Sequence, residues 1–322
     1  MRRRLALDRD RIVDRQPDTS APPEVDRGAT IVDVVRAGVL DAELGGLVWL
    51  LAEGGVPLVV AGPGETAEAV GARTAVLDAL LDLVPSARTR RSLAGGAEAF
   101  AWLGGAEGLG WHRDVPAAVE PDEPASTLIL AGEIGPGPPA DTTGDRARLV
   151  VRAIGRGFGL AATAGAARLE DLLDLLRHRP IALTDDELSN LGVVLILADD
   201  PVEGRGHPGP APGLRRVVAA HYLRPLARDA HGHPQRLPPA VLATWDERIA
   251  RFEHFSWGIA AELAERVGRR TGDFDRERER RSATLAALAV DTDRPRADRA
   301  AVQVALERAR LGDELAEGGQ AH

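Results

Sequence analysis

Apolar positions follow two different periods along this chain, and the change of period predicts helices and strands in turn. Leu40, Leu44 and Leu47 recur at three-to-four spacing within residues 31–55, which predicts one amphipathic helix that stops at a Gly-Gly pair. Residues 56–60 form a short continuous apolar run. Such a run is typical of a strand that is buried on both faces.

The same alternation continues to about residue 200. An apolar helical face follows the first strand and ends at Pro85. Further apolar runs predict buried strands at residues 126–131, 159–163 and 193–197. Helical spacing predicts helices at residues 146–154 and 169–177. Strands that alternate with helices of this length favour a mostly parallel sheet covered on both faces.

The pattern changes near residue 200, where a Pro/Gly-rich stretch precedes shorter elements. Three strands in an antiparallel meander are predicted at residues 215–226, 234–244 and 250–255. We therefore divide the chain into a flexible N-terminal arm (1–30), an α/β core (31–200), an antiparallel meander that completes the core (201–256) and a charged helical C-terminal extension (257–322).

Composition and charge narrow the classes of function. The net charge is −9, so the broad basic surface typical of nucleic-acid binding is not expected. The absence of cysteine excludes disulfides and thiolate chemistry and fits a cytoplasmic location. No apolar run reaches the roughly 18 residues that span a bilayer. All 40 basic residues are arginine, because the chain has no lysine.

Candidate chemistry begins at VPLVVAGPGETAEAV, a glycine turn between a predicted strand and a predicted helix. This is the order of a phosphate-binding P-loop, whose pattern is Gly, four residues, then Gly-Lys-Ser/Thr. Counted from the first glycine of the turn, the degenerate loop consists of Gly62, Pro63, Gly64, Glu65, Thr66, Ala67, Glu68 and Ala69.

The substitutions at the end of this loop oppose phosphate binding. Glu68 stands where the lysine belongs, and Ala69 stands where a hydroxyl would hold Mg²⁺. Two unit charges 4 Å apart interact by about 4 kcal/mol at an effective dielectric near 20, so a carboxylate replaces that attraction with repulsion of similar size. The turn resembles a P-loop in shape and not in charge.

Three later motifs follow this loop in a recognisable order: LILAGE, GFGLAATAGAARLEDLLDLL and RRVVAAHYLRPLARDAHGHPQRLPPAVLATWD. With the loop, they resemble the ATPases of type II and type IV secretion and pilus assembly over residues 31–255. The resemblance implies an α/β fold, a RecA-like P-loop NTPase core with a mostly parallel sheet, an antiparallel β-ribbon and a helical C-terminal extension. It also implies ATP and Mg²⁺ as cofactors.

The resemblance implies partners and site residues as well. The family works as a hexameric ring beneath an inner-membrane platform protein. A homo- or hetero-oligomer is therefore expected, in the cytoplasm and peripheral at the inner face of the cell membrane, without the family's separate N-terminal domain. Glu133 corresponds to the Walker B glutamate that orients water and magnesium. Gly165 stands where the family has a histidine that senses the γ-phosphate. The acidic box falls in residues 90–102, where Glu98 is its one acidic residue.

Losses at Glu68, Ala69 and Gly165 together predict a non-hydrolysing structural or regulatory component of a secretion or pilus machine. Arg73 lies about 140° around the helix from Glu68 and about 7.5 Å along it, so it is expected to face away from the loop. One alternative is an active ATPase whose atypical site is completed by Arg88, Arg90, Arg91 or a neighbouring subunit's arginine. The other is a RecA-like binding module for an unrelated ligand.

The remaining chemical groups favour structural roles. His221, His231 and His233 could meet as a zinc site across the hairpin, but solvated turn histidines are the favoured interpretation, and no metal site is predicted. The Glu/Arg run at residues 275–281 is expected to be a solvated helix face. Four tryptophans are expected to be packing residues: Trp102, Trp111, Trp245 and Trp257.

Overall fold

The computed structural model describes residues 28–93, 100–111, 120–137, 140–198, 215–229, 231–290 and 296–318. These residues form an α/β fold around one mixed, mostly parallel nine-stranded sheet, which is compatible with a RecA-like core. Across them, no helix has both the length and the apolar character needed to cross a membrane.

The elements follow the chain in an order close to the predicted one. The strands are β1 (Leu58–Gly62), β2 (Thr89–Ser92), β3 (Thr127–Gly135), β4 (Thr142–Thr143), β5 (Gly159–Gly165), β6 (Val193–Ala198), β7 (Arg216–Tyr222), β8 (Ala227–Arg228), β9 (Pro234–Gln235), β10 (Ala240–Asp246) and β11 (Arg251–His254). The α-helices are α1 (Ile31–Arg36), α2 (Ala42–Glu53), α3 (Ala67–Leu80), α4 (Gly144–Ile154), α5 (Leu169–Arg177), α6 (Asp185–Leu188), α7 (Ala260–Arg266), α8 (Thr271–Val290) and α9 (Arg299–Gly318). Short 3-10 helices are η1 (Leu81–Leu83), η2 (Ala106–Leu109), η3 (Pro124–Ser126) and η4 (Ser256–Ile259).

The sheet has a parallel half and an antiparallel half. Its order is β11-β10-β7-β6-β1-β5-β3-β2, with β4 paired to the end of β3. Strands from β6 to β2 are parallel, and β7, β10 and β11 continue the same sheet antiparallel to their neighbours. A separate two-stranded hairpin joins β8 and β9. The predicted meander strand at residues 234–244 is thus divided between β9 and β10.

Both faces of the parallel strands are buried, which explains their continuous apolar runs. In β1, Leu58 and Val60 pack into a cluster with α1, α2, α3, α8 and α9, whereas Val59 and Ala61 pack with α4, α5 and α6 on the opposite face. Alternate residues of a strand point to opposite faces, so one run serves two cores.

The predicted single helix over residues 31–55 is wrong, because the chain forms α1 and α2 with a turn between them. Gly38 in that turn has a φ of +67°, a conformation that favours glycine. Asp41 then caps α2, since its carboxylate accepts a 2.9 Å hydrogen bond from the Leu44 amide. Apolar spacing continued across the break and concealed it.

The buried strands and the α5 boundaries agree with the predictions, and β2 was missed. The run Thr89–Ser92 is mostly exposed and carries Arg90 and Arg91, so it offers no apolar signal for a strand. Parallel backbone pairing with β3 places this strand in the sheet.

The C-terminal helix α8 packs against α2, which corrects the expectation of a solvated face at residues 275–281. A Cβ on Gly46 would lie 2.7 Å from the Ser282 amide nitrogen, so glycine permits the close helix crossing. Arg281 is only 1% exposed, and its guanidinium lies 4.6 Å over the Trp49 ring. The charged run is therefore partly an interface between helices.

The tryptophans divide into buried and exposed residues. Trp102 and Trp111 are buried against Phe100, as predicted for packing residues. Trp245 is half-buried, with the Arg216 guanidinium 4.0 Å from its ring centroid. The prediction is wrong for Trp257, whose side chain is 77% exposed.

Candidate functional site

The predicted site residues meet at one edge of the sheet. β1 ends at Gly62, which lies beside Gly165 at the end of the neighbouring parallel strand β5. Glu133 on β3 lies beside Thr163 of the same β5 strand. The carboxyl ends of parallel strands are the usual location of ligand sites in open α/β sheets.

The loop after β1 forms a tight turn that leads into α3. Gly64 has a φ of +88°, which favours glycine at this position. Thr66 is the N-cap of α3, and its hydroxyl accepts a 3.2 Å hydrogen bond from the Ala69 amide. One of the first-turn N–H groups that a phosphate could use is therefore already bonded within the chain.

Glu68 and Arg73 lie on opposite sides of α3, as helical geometry predicts, but the conclusion drawn for Arg73 is wrong. Glu68 is exposed on the outer side of the helix. Arg73 is 0% exposed, and its guanidinium lies against the inside of the glycine turn. The side chain at the lysine position faces solvent, and the face of α3 that meets the turn is the one that carries Arg73.

Arg73 connects the turn to β3. Its Nη1 donates to the carbonyl oxygens of Gly62 and Gly64, each at 2.9 Å, and more weakly to that of Pro63 at 3.3 Å. Its Nη2 and Nε donate to the Glu133 carboxylate, to Oε1 at 2.6 Å and to Oε2 at 3.3 Å. The guanidinium thus makes a bidentate ion pair with Glu133 and hydrogen bonds to three carbonyl oxygens.

Glu133 is 6% exposed, and its carboxylate is fully engaged. Besides the Arg73 contacts, Oε2 accepts a 2.5 Å hydrogen bond from the Thr163 hydroxyl. A β-bulge near Gly132, which has a φ of +66°, precedes this residue in β3. The predicted Walker B position is therefore at the site, but its oxygens already have internal donors.

Gly165 lies next to this ion pair. A Cβ added there would be 3.5 Å from Glu133 Oε1 and 3.8 Å from Arg73 Nη2. The position that the resemblance assigns to a γ-phosphate sensor is therefore close to the carboxylate. A histidine side chain extending from that Cβ would have to share the space with the guanidinium.

A second arginine binds the same turn from the antiparallel half of the sheet. Arg215, which precedes β7, donates from Nη1 to the Pro63 carbonyl oxygen at 2.8 Å. The carbonyl oxygens of Gly62, Pro63 and Gly64 thus all accept from arginine. A P-loop presents amide N–H groups to its anion, whereas these three carbonyl oxygens face guanidinium groups.

The cleft above the ion pair is small. Its volume is about 100 Å³, below the roughly 300 to 1,000 Å³ typical of small-molecule sites. It is lined by Glu65, Val70, Arg73, Glu133, Ile134, Gly135, Pro136, Gly137, Ala140, Gly165 and Leu175. The exposed Glu68 is not part of this lining.

The other arginines considered as substitutes for lysine make contacts elsewhere. Arg88 donates to the Glu53 carbonyl oxygen. Arg91 forms a bidentate ion pair with Asp122, and both nitrogen–oxygen distances are 2.6 Å. Arg90 donates to the Leu81 carbonyl oxygen. Glu98, the acidic-box candidate, lies outside the described residues.

The three histidines considered as zinc ligands lie away from this edge. His231 and His233 are exposed in the turn before β9, with ring centroids 6.2 Å apart. His221 is on β7, where burial lowers its pKa. Within the described ranges, no group of three His, Asp or Glu side chains is arranged to hold a metal ion.

Arg73, Thr163 and Arg215 are the contacts that sequence reasoning missed. The signal for Arg73 was available, because it shares one face of α3 with the buried residues Ala69, Val76 and Leu80. A charged side chain in an apolar helix face requires a buried partner of opposite charge.

Comparison of the sequence with protein-family models and with curated proteins finds no match.

Proposed function

We propose that this chain is a RecA-like ATPase-fold protein that neither binds nor hydrolyses ATP, and that serves as a structural or regulatory component of a secretion or pilus-assembly machine. The observation that carries the proposal is the buried Arg73–Glu133 pair inside the glycine turn. The family assignment itself rests on the sequence motifs.

The arrangement of the strand ends supports descent from a nucleotide site. The glycine turn follows β1, the glutamate is on β3, and Gly165 ends the β5 strand that lies between them. These are three separate parts of the sequence, and each was assigned a role in the same site by resemblance. Adjacent parallel strands place their carboxyl ends at one edge of a sheet, and this is the arrangement that a nucleotide site of this family would require.

The contacts of Arg73 support the loss of nucleotide binding. A phosphate in the turn would face the carbonyl oxygens of Gly62 and Gly64, which now accept from Arg73. To use the guanidinium, the phosphate would have to separate it from Glu133. Breaking a buried ion pair by removing one partner costs about 3–5 kcal/mol, a large part of the 8 kcal/mol that corresponds to micromolar affinity.

Phosphate release and thermal melting by the purified protein test this proposal together. We expect no ATP turnover above that of a Glu133→Gln control and no change of melting temperature with millimolar ATP and Mg²⁺. A ligand at 100 times its dissociation constant would stabilise the fold by about 2.7 kcal/mol, a readily detected shift. Turnover that is lost in both Glu133→Gln and Arg73→Ala would instead assign Arg73 the role of the missing lysine.

A reconstruction experiment separates the missing lysine from the internal arginine. The triple variant Ala67→Gly, Glu68→Lys, Ala69→Thr restores the P-loop sequence while Arg73 stays in place. We expect no ATP binding by this variant, and binding when Arg73→Ala is added. Binding by the triple variant alone would show that the Arg73–Glu133 pair does not close the site.

A further inference from the structure

The last strand of the antiparallel half, β11, lies at an end of the sheet. Among the described residues it pairs with β10 and has no strand on its other side. An edge strand presents a row of backbone N–H and C=O groups that can pair with another chain. The side chains along this edge determine which chain would fit.

The direction of each backbone group follows from the β10–β11 ladder. The Phe255 amide donates to the Leu242 carbonyl oxygen at 2.8 Å, so the backbone N–H of Phe255 points toward β10. Hydrogen bonding alternates along an antiparallel ladder, so the backbone groups of Glu253 and Arg251 also point toward β10. The groups of Phe252 and His254 point outward and are available to a new strand.

This alternation restricts how two copies of β11 could pair about a two-fold axis. The axis must pass through a residue. An axis between two residues would place a residue whose backbone groups point outward opposite one whose backbone groups point toward β10. An axis at Arg251 or Glu253 places like charges directly opposite each other, which is destabilising. An axis at His254 would oppose Glu253 to Phe255, where the chain has left the extended conformation with a ψ of 0°. An axis at Phe252 places Arg251 of one copy opposite Glu253 of the other, twice.

Exposed apolar residues flank β11 on both sides. Ile249, in the turn that precedes the strand, is 57% exposed, and Phe255, directly after the strand, is 39% exposed. Trp257, 77% exposed, lies two residues beyond Phe255 and adds apolar surface there. Exposed apolar side chains beside an unpaired strand edge favour a partner chain at this edge over a solvated edge.

We propose that β11 is a self-association edge, at which a second copy of this chain adds its own β11 antiparallel in the register centred on Phe252. The contact is isologous, with the same surface used by both copies, and it joins their sheets into one. It lies beyond β7 and β10, away from the turn after β1, and does not depend on the proposed function.

Sedimentation of the full chain over a concentration series, with charge variants, tests the register. We expect a monomer–dimer equilibrium. Arg251→Glu and Glu253→Arg should each weaken self-association about tenfold or more, because each creates two like-charge pairs. An equimolar mixture of the two variants should form a heterodimer, and the double exchange Arg251→Glu/Glu253→Arg should recover the wild-type dimer. Arg168→Glu, an equal charge change on an exposed residue before α5, is the matched control.

Cysteine cross-linking gives a second readout, since the natural chain contains no cysteine. A mixture of Arg251→Cys and Glu253→Cys chains should form an intermolecular disulfide, because opposed residues of a non-hydrogen-bonded pair lie about 4.5 Å apart at Cα. Each variant alone should cross-link more slowly. A monomer at all concentrations, a dimer insensitive to both charge variants, or cross-linking without preference for the mixture would each overturn the proposal.

Discussion

Two fully buried arginines show how differently the same ion pair can be used in this molecule. Arg73 and Arg281 are 0% and 1% exposed, and each holds a glutamate carboxylate with two nitrogen atoms. Arg281 lies between α8 and α2, stacked over Trp49, where helices pack side by side. Arg73 lies where strand ends meet. Helix packing does not by itself require an arginine at that position.

The partners of the two glutamates differ as well. Glu53 has 23% of its side chain exposed and lies within 4 Å of nitrogen atoms from Arg269 and Arg310 as well as Arg281. Among the described residues, Glu133 forms an ion pair with Arg73 alone and has 7% side-chain exposure. A shared, partly hydrated carboxylate can lose one partner without becoming unpaired, whereas Glu133 cannot. Separating Arg73 from Glu133 is therefore costly, and we expect the pair to hold the turn closed.

The largest expected effect is that of removing Arg73. Arg73→Ala leaves Glu133 buried without its cation and frees the carbonyl oxygens of Gly62 and Gly64, so we expect a loss of about 3–5 kcal/mol in the free energy of unfolding. Urea denaturation measures this loss. The double variant Arg73→Met/Glu133→Leu should be more stable than Arg73→Ala, since it removes both charges. A loss below about 1 kcal/mol for Arg73→Ala would mean that the pair does not stabilise the turn.

Removing Arg281 should cost less. In Arg281→Ala, Glu53 keeps Arg310 at 3.4 Å and Arg269 at 3.7 Å, so we expect a loss of about 2 kcal/mol, mainly from packing against Trp49. The comparison uses the same denaturation measurement. A cost equal to or above that of Arg73→Ala would remove the distinction between the two pairs.

Thr163 offers a smaller change within the Arg73 site itself. Thr163→Val removes the hydroxyl that donates to Glu133 Oε2 while keeping the side-chain shape, so we expect a loss of about 1.5 kcal/mol. Thr163→Ser keeps the donor and is the matched control. A Thr163→Val variant as stable as the wild type, with the loss confined to Thr163→Ser, would show that the methyl group and not the hydrogen bond stabilises the site.

The smallest effect concerns an ion pair nearer to solvent, between His254 and α2. Burial alone would lower the pKa of His254, but the hydrogen bond and charge of Asp41, with the charge of Glu43, raise it above the usual 6.5. A raised pKa stabilises the folded chain fully below pH 6.5, and this contribution is lost as pH rises through the folded-state pKa. Denaturation should therefore show stability from His254 that declines above neutral pH.

Asp41→Asn tests the origin of this pH dependence. Asparagine retains the ability to cap α2 but removes the charge that raises the pKa of His254. We expect a flatter stability profile between pH 6 and 9 for this variant than for the wild type. An unchanged profile would show that another group titrates in this range.

The regular elements could largely be predicted from sequence, because each buried strand is a continuous apolar run between breakers. The break between α1 and α2 could not, since apolar spacing continues through Gly38 and Asp41. Strand β2 was missed for the opposite reason: residues such as Arg90 give it a polar, exposed surface. The position of β2 is decided by its pairing with the distant strand β3, which local spacing does not record.

The location of the candidate site could be predicted, and its chemistry only in part. Gly62, Glu133 and Gly165 were identified from motifs and do lie together. The motif does not specify the closing contact, because Arg73 lies on the opposite side of α3 from Glu68, the residue at the lysine position, which points to solvent. Whether a loop presents carbonyl or amide groups depends on backbone torsions that the motif does not specify.

Calorimetric titration of the wild-type protein with Mg²⁺ and ATP tests the central claim most directly, because the claim concerns binding before any turnover. The reconstructed variant that combines Arg73→Ala with the restored P-loop residues serves as the positive control. We predict no saturable heat for the wild type up to millimolar nucleotide and a measurable isotherm for the reconstructed variant. A micromolar dissociation constant for the wild type, with the Arg73–Glu133 pair intact, would contradict the account.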